Sequence, residues 1–343
     1  MRTLLNTLFV LSEDCYLTRE NENVVVLQGD TTAGRFPLHT LEGILCFSYK
    51  GASPALMGVC AEMGIQLSFY SPNGRFYCQT AGDAQGNVLL RREQYRRADS
   101  PLGCRDLAGY LLAGKLYNAR WVLERATRDH ALRLDVPRLK EASAALAEAG
   151  KTLLEQPDTD SVRGVEGAAA QRYFSVFDEL ILQNKDAFFF RKRSRRPPLD
   201  RMNALLSFVY TLLAGDCAAA LRGAGLDPYV GYLHTDRPGR LSLALDLMEE
   251  LRPVLGDRFA LRLVNSRALT PENFDERENG AVLLNDAGRK VVLTEWQNKK
   301  RETITHPFLG EKLAWGLVPY VQALLLARYL REDMDAYPPF MWK

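Results

Sequence analysis

The sequence predicts an α+β protein, with a β-rich N-terminal domain at residues 1–85 and a larger, mainly α-helical domain at 86–343. Three observations carry this. Short β-branched and aromatic runs, broken by turn residues, fill the first part of the chain. From Val88 onward apolar residues recur at helical spacing. The length of 343 residues, 47% of them hydrophobic, is enough for a large core and more than one domain.

In order, LLNTLFV near the start, VVVLQ at 24–28, ILCF at 44–47 and IQLSFY at 65–70 read as strands, with one helix from Pro54 to Met63. Pro72-Asn73-Gly74 predicts a hairpin joining IQLSFY to RFYCQT, because Asn-Gly supplies the positive φ angles of a tight turn. AGDAQGN at 81–87 is small and polar and marks a domain edge. Helices are predicted at about 105–130, 138–154, 161–183, 201–223, 240–255 and 309–332. VLLNDAGRKVVL at 282–293 has two β-branched runs around a glycine-containing turn and reads as a hairpin set among helices.

Composition excludes several function classes. With 44 Lys and Arg against 42 Asp and Glu, the net charge of +2 is not that of a histone-like polycation. Six cysteines form no CxxC pair, so neither a zinc knuckle nor a thioredoxin-type site is indicated, and they read as reduced, mostly packed thiols. No signal-peptide pattern and no run of about 18 apolar residues is present, so a cytoplasmic protein away from the membrane is expected. There is no GxxxxGK[ST] phosphate loop.

Four stretches stand out. LSLALDLMEELRP is apolar on nearly every side and should be buried, yet it carries Asp246 and Glu249 three apart. Such carboxylates repel unless a cation stands between them, or else they line a solvated stripe with Glu250 and Arg252. In SVRGVEGAAAQRYF, Glu166 lies between Gly164 and Gly167, which implies close packing or access to the carboxylate; a bland alternative pairs it with Arg163 or Arg172. His234, one of four histidines, precedes the acidic helix, and imidazole with carboxylates suits Mn²⁺ or Mg²⁺ better than a closed zinc site. The run Arg191, Lys192, Arg193, Arg195, Arg196 and Arg201, with only Asp200 opposing it, leaves the rest of the chain net acidic and reads as a loop that could hold a phosphate backbone. Shorter basic clusters lie at 91–97 and 298–301.

Together RGVEGAAAQRYF, RRPPLDRMNALLSFVYTLL, DPYVGYLH, RLSLALDLMEELRP and the closing YPPFMWK resemble the CRISPR-associated endonuclease and integrase family of spacer acquisition, Cas1, over nearly the whole chain. Length and endings resemble its type I-C branch. The resemblance implies a β-sandwich-like N-terminal dimerisation domain and a helical catalytic domain. It implies metal ligation by Glu166, His234 and Glu249, with Asp246 as a nearby acidic site residue, and it leaves Asn203 matched but without a role. Some relatives carry aspartate where Glu249 stands, which leaves the choice between Glu249 and Glu250 open. The implied activity is Mg²⁺- or Mn²⁺-dependent insertion of short DNA duplexes into a CRISPR repeat array by 3′-hydroxyl transesterification. The implied partners are DNA, a second copy of the chain and the small ferredoxin-like Cas2 protein, with Arg191, Lys192, Arg193, Arg195 and Arg196 on the DNA. Two other readings stand beside it: a metal-dependent nuclease acting on branched DNA in repair, and a non-catalytic DNA-binding scaffold.

Overall fold

In the computed structural model, residues 6–10, 12–71, 76–80 and 88–343 are described. The expected turn at 72–74 and the 81–87 segment fall outside them. The chain divides into two units, Met1–Gly86 with Leu284–Glu302, and Asn87–Leu283 with Thr303–Lys343.

The first unit contains β1 (Asn6–Val10), β2 (Cys15–Glu20), β3 (Asn23–Gln28), β4 (Thr31–Pro37), β5 (Leu41–Cys46), α1 (Pro54–Glu62), β6 (Gln66–Tyr70) and β7 (Phe76–Gln79). β2, β3 and β4 form an antiparallel meander. The other sheet has the order β1-β5-β6-β7, in which β1–β5 and β5–β6 are parallel and β6–β7 is antiparallel. Parallel neighbours need a long crossover, and α1 supplies it between β5 and β6. Ser53 caps α1 by accepting from Leu56 N, with Pro54 in the first turn where its missing N–H costs nothing. Leu17 and Val24 of the meander, Ile44 and Leu67 of the mixed sheet, and Leu56 and Cys60 of α1 share one fully buried core. All six cysteines are free; Cys15, Cys46, Cys60 and Cys217 are buried as packed thiols, Cys104 is half-buried and Cys78 is exposed.

The second unit contains α2 (Val88–Ala98), α3 (Pro101–Asp129), α4 (Val136–Thr152), α5 (Thr159–Ser175), α6 (Arg201–Gly223), α7 (Ser242–Leu251) and α8 (Arg258–Asn265). Side chains that accept a backbone N–H start four of these: Ser100 from Gly103, Asp135 from Arg138, Asp158 from Ser161 and Asp200 from Asn203, each stabilising by about 1 kcal/mol. α7 and α8 are joined through a π-helical turn, Arg252–Asp257. Pro253 cannot donate there, and the wider turn carries the chain past the missing N–H. α6 is the one described helix long and apolar enough to cross a membrane, but 61% of its most apolar window is buried inside the fold, so it is a core helix packed on α7.

The segment 282–293 is not a hairpin. β9 (Val282–Leu284) pairs with β8 (Phe274–Glu276), and α9 (Asp286–Arg301) follows. Asn285 accepts from Gly288 N at 2.9 Å, so Asn-Asp-Ala-Gly is a helix cap rather than a turn, and the cap overrides the β-branched Val291 and Val292. The predicted helix at 309–332 begins later: β10 (Thr303–Thr305) and β11 (Lys312–Ala314) form a ribbon before α10 (Val318–Leu330).

Candidate active site

α7 is buried along its length: among Ser242–Leu251 every residue except Leu245 is inside, including Asp246, Glu249 and Glu250. Its three carboxylates point to three different sets of partners. Asp246 Oδ2 accepts from Tyr232 N at 2.6 Å and Leu233 N at 3.0 Å, and Oδ1 accepts from His234 N at 2.9 Å. The loop before α7 is therefore wrapped around a carboxylate. Gly231 makes this possible, because a Cβ there would lie 2.7 Å from Ser242 Cβ and 2.9 Å from Asp246 Oδ2. Asp246 Oδ1 is also 2.6 Å from His234 Nδ1. A carboxylate on one ring nitrogen fixes the ring's orientation and favours the tautomer with its lone pair on Nε2, the arrangement common behind metal-bound histidines. Asp246 thus positions His234.

Glu249, one turn on, faces the opposite problem of a charge at 3% exposure. Arg252 Nη2 pairs with its Oε1 at 2.6 Å, and Lys115 Nζ of α3 lies 2.6 Å from its Oε2. Burial alone would raise the carboxyl pKa; Arg252 and Lys115 together outweigh it and hold Glu249 down at about 2, with His234 adding to the effect. Lys115 Nζ also bonds Glu166 Oε1 of α5. Glu166 and Glu249, remote in sequence, therefore converge on one buried cation. Glu249 Oε2 touches that ammonium but accepts no well-directed hydrogen bond. α5 is tied to the histidine loop as well, since Arg163 donates to Leu233 O at 2.9 Å and also pairs with Asp160.

Glu250 turns away from this cluster. Its Oε1 accepts from Tyr337 Oη at 2.6 Å and Gln322 Nε2 at 3.0 Å, and its Oε2 from Phe340 N at 2.7 Å. Burial nevertheless pushes its pKa up to about 7. Asn118 of α3 reinforces the same junction, donating to Glu250 O and Phe340 O at 2.7 Å each and accepting from Trp342 N at 2.9 Å. Gly114 lets α3 come this close, because a Cβ there would sit 3.0 Å from both Glu250 Cβ and Pro339 Cβ. The two glutamates thus differ in orientation: Glu249 meets Lys115, which also bonds Glu166, and Glu250 holds the YPPFMWK segment.

The basic run forms a loop before α6, with Arg191, Lys192, Arg195 and Arg196 exposed. Arg193 is turned inward, donating to Asn203 Oδ1 at 2.7 Å and Ser207 Oγ at 3.1 Å, and burial lowers its pKa. Asn203, fully buried, also donates to Lys192 O at 2.9 Å and accepts from Ser194 N at 3.0 Å. Its role is to fasten the basic loop to α6. Beneath it Tyr210 bonds Asp257 and lies under both Arg193 and Arg252, with guanidinium-to-ring distances of 5.4 and 4.9 Å.

Glu166, His234, Asp246 and Glu249 thus lie in one neighbourhood linked through Lys115, Asp246 and Arg163. Neither local alternative for Glu166 occurs, since Arg163 pairs with Asp160 and Arg172 with Glu141. Nor do Gly164 and Gly167 serve close packing: nothing lies within 4 Å of a Cβ at either, so the helix beside Glu166 is open. Among the described residues no three His, Cys, Asp or Glu side chains are placed to hold a metal ion as they stand. The donor set nevertheless fits a hard divalent cation, with two carboxylates already gathered on a positive charge, one of their oxygens poorly satisfied, and an oriented imidazole alongside. Lys115 and Asn118 were not singled out by the sequence, whereas Arg252, read as the basic member of a solvated stripe, does pair with Glu249 but inside the fold. A lysine amid the apolar stretch GYLLAGKLYNARW was the available signal, because lysine is almost never buried without a partner.

Comparison with known proteins places the chain in a family. The chain is 50% identical to CRISPR-associated endonuclease Cas1 1 of Chlorobaculum tepidum and 49% identical to CRISPR-associated endonuclease Cas1 2 of Rhodospirillum rubrum, each over the full length of both proteins. Its fold matches a Cas1 protein from Thermotoga maritima with TM-score 0.82 at 21% identity, over 97% of this chain and 99% of that one. It also matches a casposase bound to integration product with TM-score 0.84 at 21% identity, over 99% and 95%. A family model described as CRISPR associated protein Cas1 matches residues 8–298, and with these full-length relatives it establishes that the chain belongs to the Cas1 family.

Proposed function

We propose that this chain is a metal-dependent DNA endonuclease and integrase that inserts short duplex fragments into a CRISPR repeat array, in a type I-C-like system. The observation that carries the reading is the convergence of Glu166 and Glu249 on one cation beside a histidine oriented by Asp246. Glu166, His234 and Glu249 would hold Mg²⁺ or Mn²⁺. Bound there, the ion supplies Lewis-acid neutralisation of charge on a phosphodiester under attack.

The chain's own residues do the rest. Asp246 keeps the proton on His234 Nδ1 and the lone pair on Nε2. Arg252 keeps Glu249 ionised throughout the working pH range. Arg191, Lys192, Arg195 and Arg196 would contact the phosphate backbone, while Arg193 and Asn203 hold their loop in place. In integration the 3′-hydroxyl oxygen of the fragment bonds to a target phosphorus, and the target strand's P–O3′ bond breaks to leave a free 3′-hydroxyl. Alignment of the two strands, rather than an energy source, is the main requirement.

Solved neighbours of this fold include a Cas6-RT-Cas1–Cas2 complex, which supports Cas2 as a partner here; a homodimer flanking Cas2 would space two such centres to measure the fragment. The test is to incubate the purified chain, with and without its small partner, with a 3′-hydroxyl duplex, supercoiled repeat plasmid and Mn²⁺ or Mg²⁺. Covalent capture of the duplex is expected. Shortened strands alone would favour a repair nuclease, and metal-independent binding without any strand change would favour a scaffold.

A further inference from the structure

Lys115 sits where a coordinated cation would sit. Its Nζ lies 2.6 Å from Glu249 Oε2 and bonds Glu166, and its side chain is 9% exposed. The charges of Glu166 and Glu249 are thereby balanced by Lys115 and Arg252, so this pair of carboxylates carries no surplus negative charge to attract a divalent ion. The ammonium is hydrogen-bonded to Glu166 and in ionic contact with Glu249, and a second cation cannot approach the same oxygens at such distances without strong repulsion. The side chain of Glu166 is 24% exposed against 5% for Glu249, and open space flanks Glu166 at Gly164 and Gly167. An ion arriving from solvent therefore meets the Glu166 end of the bridge first.

We propose that Lys115 is a built-in counter-ion that a divalent cation must displace, and that it sets the metal affinity of the centre. This deepens the metal reading of Glu166, His234 and Glu249 and rests on it. Lysine suits the task because its charge is compact and its four-carbon stem can swing without moving α3. In the absence of metal the lysine keeps the carboxylates gathered, so the site is preformed; in its presence the same lysine is a competitor.

The test measures Mn²⁺ binding to the chelator-stripped full-length chain by the electron paramagnetic resonance signal of free Mn²⁺, for the wild type, Lys115→Met, Lys115→Arg and Glu166→Ala. Lys115→Met is expected to bind about tenfold tighter or more, because a repelling charge is removed. Lys115→Arg, which keeps the charge, should not gain affinity. The metal-induced rise in Tm should also be larger in Lys115→Met than in the wild type. If Lys115→Met binds no tighter while Glu166→Ala loses the ion, the inference falls and the metal site stands. If Glu166→Ala binds like the wild type, the site itself is misplaced. Should Lys115→Met fail to fold, ¹⁵N-lysine spectra of the wild type decide: one protected ammonium signal, absent from Lys115→Arg, should lose protection as Mg²⁺ is added. A signal unchanged at saturating Mg²⁺ overturns the proposal.

Discussion

The two sides of α7 differ more than their sequence does. Glu249 and Glu250 are adjacent, identical and both buried, yet one carboxyl is held at about 2 and the other raised to about 7. Glu249 meets two cations, and charge pairing outweighs burial. Glu250 meets only neutral donors, Tyr337, Gln322 and Phe340 N, and burial wins. Partner chemistry, rather than depth, thus divides the helix into an ionic side suited to catalysis and a neutral side that ties the closing segment to α3.

The comparison can be broken most severely on its ionic side. Glu166→Ala, His234→Ala and Glu249→Ala should each abolish strand joining in a plasmid-capture assay while salt-sensitive DNA binding persists; activity surviving all three would remove the division. Asp246→Asn should lower activity and metal affinity by about 10- to 100-fold, because its amide NH₂ would face backbone donors and the histidine would lose its orienting acceptor. On the neutral side, Glu250→Ala should cost about 2–4 kcal/mol in urea unfolding by leaving the buried Tyr337 hydroxyl and Phe340 N–H without their acceptor, while Gln322 Nε2 keeps Tyr337 Oη and Pro338 O.

The two sides also carry opposite pH signatures. Glu250, raised in the fold, favours the native state below its unfolded value near 4.5, and that contribution declines as pH climbs through about 7. The Glu249 ion pairs contribute above that same unfolded value and are lost as pH falls toward about 2. Glu250→Gln should flatten the fall in urea midpoint between those neutral-side limits, and an unchanged profile would assign it to other groups. The smallest effect is expected away from α7: Arg195→Ala should reduce the salt slope of DNA binding by about 0.9, as for one lost phosphate contact.

Much of this was legible in the sequence. Four of the N-terminal strands followed from β-branched runs, but β2 and β4 were missed: CYLTRE and TTAGRFP have mixed polarity, and β4 has no buried residue in its length. Periodicity located α3 to α7 but could not foresee that Pro253 widens a turn rather than ending the helical path. The acidic residues and His234 stood out because charge in an apolar helix needs an explanation. Lys115 and Asn118 were hidden because their partners lie far along the chain, where spacing is silent. Arg193 looked like its neighbours in the basic run, and its contacts with Asn203, Ser207 and the Tyr210 ring separate it from the four that face solvent.

The loop folded around Asp246 has a consequence for how this part of the molecule exchanges with water. The amides of Tyr232, Leu233 and His234 belong to no helix or strand, yet a buried carboxylate accepts all three. Deuterium should therefore enter them only when α7 itself lets go, so that an irregular stretch keeps the slow clock of the core beneath it.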